Sequence, residues 1–134
     1  MHAPGSNRRL RFSLIADSVV ELLLAILFMA IPSAVGRWLA IAPPVATAIG
    51  AVFLVAAVGV GLIAYRSANR RQIVRALAFG NIVGGAIGWA LLIIAWSSFA
   101  APGRALLGTA SDLFIAVGAL ELIYLRKIAS QPAA

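Results

Sequence analysis

Four apolar segments alternate with short links along the chain. Each segment approaches the roughly 20 residues with which a helix crosses a bilayer. The links read IPSAVGRWLAIAPP, RSANRRQ and SSFAAPGR, and their proline, glycine and arginine residues are typical of turns and membrane interfaces. Because short links join antiparallel neighbours, the pattern predicts an all-α integral membrane protein, a bundle of four transmembrane helices. The expected spans cover about 10–31, 45–65, 73–96 and 105–125.

The same pattern predicts a single membrane domain over residues 10–127. We expect residues 1–9 to form a basic cytoplasmic tail and residues 128–134 to form a short C-terminal tail. No link is long enough for a further folded domain.

The two halves of the chain also resemble each other. Gly36-Arg37 and Gly103-Arg104 lie at matching points of the first and third links, each near a proline. Both halves begin on the same side of the membrane in this interpretation. We therefore expect two parallel helix-pair repeats, related by an axis along the membrane normal.

Composition strengthens the membrane interpretation and narrows the chemistry. Hydrophobic residues make up 63% of the chain and charged residues 11%, against roughly 25% charged residues in soluble domains. With no cysteine, the chain forms no disulfide and offers no thiolate to a metal or a substrate. The single histidine, His2, lies in the tail, so haem and zinc sites are not expected. We expect no cofactor and no metal.

The net charge of +7 has an uneven distribution that predicts topology. Arginine and lysine in short loops favour the cytoplasmic side. The two remaining links hold only Arg37 and Arg104, so we expect both termini in the cytoplasm of a bacterial inner membrane. Nine basic residues lie in the two flanks and the middle link: Arg8, Arg9, Arg11, Arg66, Arg70, Arg71, Arg75, Arg126 and Lys127.

Basic residues also allow other interpretations. The Arg8, Arg9 and Arg11 group can attract anionic lipid headgroups, at about 1 kcal/mol per residue near the surface. The stretch NRRLRFSL resembles a twin-arginine export signal, but Asp17 and Glu21 interrupt the apolar run that follows. Nucleic acid is not an expected partner, since the arginines follow the membrane links.

Two carboxylates stand inside the first span. Asp17 and Glu21 are four residues apart, so they share one face of the helix. A charge at the bilayer centre costs at least ~2.5–3.5 kcal/mol, and this face is therefore expected to meet protein or water. Asn81 lies at a similar depth in the third span, and Arg75 is the nearest basic candidate on that helix. We expect these four residues to form a polar intramembrane cluster.

Three interpretations of this cluster are open. The first is a clamp between helices, in which polar contacts set the helix register. The second is a site that handles protons or cations, with Glu21 as the titrating group; two carboxylates on one face repel, so one of them is expected to be protonated unless a cation pairs with it. The third is contact with a partner subunit, a polar headgroup or a small ligand.

A stripe of small residues in the third span predicts close helix packing. Small residues let helix backbones approach each other in lipid. We expect this face to pack inside the bundle, with an interface to another subunit or a second copy as the alternative. The stripe consists of Ala76, Gly80, Gly84 and Gly88, and Gly85 widens it.

The first outer link, with its Pro-x-x-x-Gly-Arg-x-Leu pattern from Pro32 to Leu39, resembles that of small, uncharacterised bacterial inner-membrane proteins of the four-helix type. That resemblance covers the whole chain and implies a fold without an activity. A glutamate in the first of four spans, Glu21 here, is also similar to small multidrug transporters. The chain departs from them in its longer first outer link and in lacking their aromatic-lined glycine motif.

These observations order the function classes. The chain shows no nucleophile, metal cluster or phosphate-binding loop, so an enzyme is the least favoured class. In an enzyme of this kind, Asp17 and Glu21 would do acid/base work on a lipid substrate. A non-enzymatic accessory, structural or assembly partner in the membrane is the first expectation. A small oligomeric transporter or channel, with Asp17 and Glu21 as proton- or cation-handling carboxylates, is the alternative.

Overall fold

In a computed structural model, the protein is an all-α bundle, as the apolar pattern predicts. The structure describes residues 4–66 and 71–129, with side chains for 8–66 and 71–127. Four of the five α-helices in this part are long and apolar enough to cross a membrane. The elements are α1 (Pro4–Ala30), α2 (Pro32–Leu39), α3 (Pro43–Arg66), α4 (Arg71–Ile94), a 3-10 turn (Trp96–Ser98) and α5 (Ala101–Ala129).

The helix boundaries differ from the expected ones by up to six residues, and the largest difference is at the start of α1. Helix α1 begins at Pro4, six residues before the expected start of the first span, so residues 4–9 of the expected tail are helical. The first outer link contains the short helix α2, which begins at Pro32. Backbone N–H groups in the first turn of a helix have no intrahelical partner, so proline, which lacks an N–H, loses no hydrogen bond there. Helix α2 ends at Leu39, and the next residue, Ala40, adopts the left-handed backbone conformation. Gly36 allows this turn, because a Cβ there would lie 2.7 Å from the Ile41 carbonyl oxygen.

The long helices form two antiparallel hairpins. Helix α1 pairs with α3, helix α4 pairs with α5, and the hairpins meet mainly through α1 and α5. The start of α1 and the end of α3 lie together, with the Arg11 guanidinium 5.4 Å from the centre of the Tyr65 ring. We call this end, to which Arg71 and Arg126 also belong, the arginine-rich end.

Two apolar layers close the bundle, one near each end. The first apolar layer, at the arginine-rich end, contains Leu10, Leu14, Val60, Ala64, Val74 and Leu125. The second apolar layer, at the opposite end, contains Leu24, Phe28, Val35 and Ala46. Phe53 extends the second layer, since its ring packs edge-on against Phe28 and stacks on Phe114.

Two of the five small residues expected to pack, Gly85 and Gly88, lie against α5, and the other three do not. Gly85 and Gly88 are buried against α5, and a Cβ at Gly85 would lie 2.6 Å from the Ser111 carbonyl oxygen. Ala76, Gly80 and Gly84 are exposed instead, and nothing lies within 4 Å of a Cβ built at either of the two glycines. The four-residue spacing advances about 40° per step, so the stripe winds away from α5 towards the arginine-rich end.

The two outer links do not share a local structure. Gly36 and Arg37 lie in the separate helix α2, whereas Gly103 and Arg104 lie in the first turn of α5. The likeness between the two halves therefore does not extend to these links. The links meet each other nevertheless, because the Ala100 N–H donates to the Trp38 carbonyl oxygen at 3.0 Å.

Candidate functional site: a buried carboxylate cluster

Three carboxylates lie together between the two apolar layers. Asp17 and Glu21 come from α1, and Glu121 comes from α5, the helix through which the hairpins meet. Asp17 and Glu121 are 0% exposed and Glu21 is 7% exposed. Glu121 interacts electrostatically with both α1 carboxylates. We call these three residues the carboxylate cluster.

Asn81 joins α4 to this cluster. Its Nδ2 donates a hydrogen bond of 2.7 Å to Oδ2 of Asp17. Close packing of α4 on α5 accompanies this contact: a Cβ at Gly118 would lie 2.5 Å from the Ala78 carbonyl oxygen and 3.2 Å from the Asn81 Cβ. The structure thus brings together Asp17, Glu21 and Asn81 from the expected set.

Arg75 lies outside the cluster, which departs from the expected grouping. Its side chain is exposed at the arginine-rich end, with the guanidinium 5.8 Å from the centre of the Phe79 ring. Arg75 precedes Asn81 by six residues, or roughly 9 Å along the helix. The predicted pairing of Arg75 with Asp17 and Glu21 is therefore absent.

Glu121 belongs to the cluster, although the sequence did not assign it there. Its depth, five residues before Arg126, was visible in the sequence and matches that of the α1 carboxylates. The rotation of α5 about its own axis was not visible. In the structure that rotation turns Glu121 towards α1 and turns Asp112, nine residues earlier, to the opposite side of α5.

The cluster contains more hydrogen-bond acceptors than the described side chains satisfy. Both carboxylate oxygens of Glu121 have no hydrogen-bond partner among the described protein groups, and neither does one oxygen each of Asp17 and Glu21. The hydroxyl of Ser13, one turn before Asp17, is also buried without a partner. None of the described arginines forms an ion pair with these carboxylates. Keeping a buried carboxylate charged without a neighbouring cation costs free energy.

Apolar groups enclose the cluster along the helix axes. On α1, Leu14 of the first apolar layer and Leu24 of the second lie on either side of Asp17 and Glu21. A cavity of about 210 Å³ adjoins the second layer and is lined by residues of all five α-helices, among them Leu24, Gly84 and three phenylalanines. The carboxylate cluster is therefore occluded from both ends of the bundle.

Metal binding is not indicated by the arrangement of these groups. The part of the chain that the structure describes contains no set of three or more histidine, cysteine, aspartate or glutamate residues placed to hold a metal ion. Protons bind to single carboxylate oxygens and need no such ligand set.

Another carboxylate, Asp112, lies apart from the cluster on the outer face of the α4/α5 hairpin. The indole Nε1 of Trp89 donates to its Oδ1 at 2.9 Å, and both side chains are exposed. Trp89 thus finds its hydrogen-bond partner on a neighbouring helix. This pair is separate from the buried carboxylates.

The fold and the site define a small membrane protein of four spanning helices with an occluded group of three carboxylates. No protein-family model matches the chain, and no curated protein or solved structure matches it.

Proposed function

We propose that the protein is a small membrane transporter that moves protons, or a small monovalent cation, through the carboxylate cluster. The observation that supports this proposal is the burial of three carboxylates whose oxygens lack partners. A purely structural clamp favours satisfied polar groups, because an unpaired buried acceptor costs about 1–3 kcal/mol. Reversible uptake of a cation explains why such groups lie in the middle of the bundle.

The arrangement along α1 also favours stepwise movement. Ser13, Asp17 and Glu21 follow one another at four-residue intervals, roughly 6 Å apart along the helix axis. Glu121 faces this row from α5. A proton on one carboxyl group can donate to an unpartnered oxygen of the next. The two apolar layers exclude bulk water, so transport would require one layer to open at a time.

The test is proton flux into liposomes that contain the purified protein. A potassium gradient with valinomycin sets the membrane potential, and a trapped pH-sensitive dye reports proton entry. We expect Glu21→Gln and Glu121→Gln to reduce proton flux at least about tenfold, because each variant removes one carboxylate that can form a charge-assisted hydrogen bond. A parallel experiment that replaces the proton gradient with a sodium gradient distinguishes protons from an alkali cation.

Ser18→Ala provides the matched control. Ser18 lies beside Asp17 on α1, but its hydroxyl donates to the Ala57 carbonyl oxygen of α3 at 2.7 Å and does not join the cluster. This variant should retain most of the flux. Normal flux in both glutamine variants, or absence of flux in the wild type under every gradient, would exclude the proposal.

A second candidate function, an accessory or assembly partner of another membrane protein, is favoured by the α4 surface. Ala76, Gly80 and Gly84 are exposed, and nothing lies within 4 Å of a Cβ built at Gly80 or Gly84. Small residues on such a face favour association with another helix in lipid. Purification from native membranes in mild detergent, followed by mass determination, tests this function: a stoichiometric partner would support it, and repeated isolation of the chain alone would contradict it.

We also propose that the protein resides in a bacterial inner membrane with both termini in the cytoplasm. The support is the excess of basic residues at the arginine-rich end over the opposite end, where Arg37 and Arg104 lie. In this orientation the first apolar layer faces the cytoplasm. The carboxylate cluster then takes up protons from the outer side through the second apolar layer.

A further inference from the structure

A cavity of about 310 Å³ lies between α4 and α5 at the arginine-rich end. The arginines that line it have exposed side chains, and they come from both helices. We call it the basic cavity. Its described lining residues are three arginines and three apolar residues: Arg71, Arg75, Arg126, Phe79, Leu122 and Leu125. Positive charge from two helices therefore converges on one apolar-walled cavity.

No acidic side chain of the protein pairs with these arginines. The sequence contains only four acidic residues, and all four lie in the described part of the chain. Three of them form the buried carboxylate cluster. The fourth, Asp112, accepts a hydrogen bond from Trp89 and lies 14 residues before Arg126, or roughly 21 Å along the helix. An anion that enters the basic cavity thus meets three guanidinium groups without displacing an acidic side chain.

The start of α4 also favours an anion in this cavity. Helix α4 begins at Arg71, and its first turn contains no acidic residue. The N-terminus of a helix carries partial positive charge, which disfavours cations there and favours anions. The arginine side chains and the dipole of α4 therefore act in the same direction.

The order of residues along both helices matches the order of groups in a phospholipid. From the arginine-rich end inwards, α4 presents Arg71, Arg75 and Phe79 at four-residue intervals, roughly 6 Å apart along the axis. On α5, Leu122 lies one turn further into the bundle than Arg126. The charged part of the cavity thus lies towards the membrane surface, and the apolar part lies deeper. A soluble anion leaves the apolar part uncovered, whereas an acyl chain covers it.

We propose that the basic cavity binds an anionic phospholipid, with the phosphate on the arginines and the start of an acyl chain against the apolar residues. Guanidinium groups bind phosphate oxygens through paired N–H donors, and basic pockets between membrane helices bind phosphate headgroups. The lipid belongs to the leaflet that contains the arginine-rich end. This inference is independent of the proposed transport function, since no residue of the basic cavity belongs to the carboxylate cluster.

The experiment is native mass spectrometry of the purified full-length protein in mild detergent, titrated with phosphatidylglycerol. We expect one phosphatidylglycerol per chain to bind at least about tenfold more tightly than phosphatidylcholine, because the choline group cancels the charge of the phosphate. Inorganic phosphate and glycerol phosphate distinguish a lipid from a soluble anion. Neither should displace phosphatidylglycerol when added at the same concentration as the lipid.

Matched double variants separate the basic cavity from the general positive charge of this end. Arg75→Gln with Arg126→Gln removes two lining charges and should weaken phosphatidylglycerol binding at least about tenfold. Arg11→Gln with Arg66→Gln removes two exposed charges from the same end, and neither residue lines the cavity, so the affinity should stay within about twofold. Arg71→Gln alone should weaken binding severalfold, which provides an independent measurement. Circular dichroism and gel filtration confirm that each variant is folded.

Equal affinities for phosphatidylglycerol and phosphatidylcholine would overturn the proposal, because the contact with lipid would then not depend on charge. An equal loss of affinity in the two double variants would also overturn it, since binding would then follow the net charge of the whole end. Displacement of the lipid by inorganic phosphate at the same concentration would show that the cavity binds a soluble anion, and would overturn it as well.

Discussion

Asn81 is the one described side chain that donates a hydrogen bond to the carboxylate cluster. Its amide satisfies Oδ2 of Asp17, while Oδ1 of the same carboxylate has no partner. Asn81 therefore favours a position of the Asp17 carboxylate that faces α4. A change at Asn81 affects both the packing of the hairpins and the availability of Asp17.

We expect Asn81→Leu to lower the stability of the folded protein by about 1 kcal/mol, the typical contribution of an interhelical hydrogen bond in a membrane. Asp17→Leu removes the same hydrogen bond from the acceptor side. The double variant should cost less than the sum of the two single variants, since each removes the same bond. Denaturation in mixed micelles measures all four proteins, and strict additivity would show that the two side chains do not interact.

Sequence reasoning at the residue scale found polar positions but not which way each one faces. The shared face of Asp17 and Glu21 follows from their spacing, and the depth of Asn81 follows from its place in the span. Arg75 lies outside the carboxylate cluster because of the direction its side chain takes. Glu121 lies inside the cluster because of the rotation of α5 about its own axis. Neither quantity appears in a single sequence, because both are determined by how neighbouring helices pack.

At the scale of the helices, glycine position decides how closely α4 and α5 approach. Gly85 and Gly80 are five residues apart on the same helix, yet only Gly85 faces α5. The four-residue repeat of small residues was a visible sequence signal. It identified the packed face in part: Gly88 of the repeat and the neighbouring Gly85 lie against α5, whereas Ala76, Gly80 and Gly84 are exposed.

This difference yields a matched pair of variants. Gly85→Ala places a methyl group 2.6 Å from both the Ser111 carbonyl oxygen and the Ile115 Cγ1, so α4 and α5 must separate. We expect a loss of about 1–3 kcal/mol, the usual cost of overpacking. Gly80→Ala meets no neighbouring atom and should stabilise the helix slightly, by up to about 1 kcal/mol. Thermal unfolding in detergent compares the two variants. Equal unfolding temperatures would refute the close packing of Gly85 against α5.

At the scale of the whole molecule, four spans and short links were predictable, since apolar segment length follows from bilayer thickness. The helix α2 was not predicted, because its eight residues are too few to produce a clear periodic signal. The occlusion of the cluster also needed the structure. It depends on two apolar layers assembled from residues that are distant in sequence, such as Leu10 and Leu125.

The orientation of the whole protein in the membrane can be tested directly. A cysteine at Ala42, which is exposed between α2 and α3, should react with a membrane-impermeant thiol reagent added outside intact cells. A cysteine added after Ala134 should react only after the membrane is permeabilised. The reverse pattern would place the termini outside, and would show that the arginine distribution does not govern insertion in this protein.

The hydrogen bond between Asp17 and Asn81 joins residues 64 positions apart in the chain. Synthesis proceeds from the N-terminus, so α1 enters the bilayer before either Asn81 or Glu121 has been made. During that interval Asp17 and Glu21 have no partner from α4 or α5. A nascent chain that stops before α4 thus leaves Asp17 and Glu21 inside the membrane without the helices that enclose them in the complete bundle.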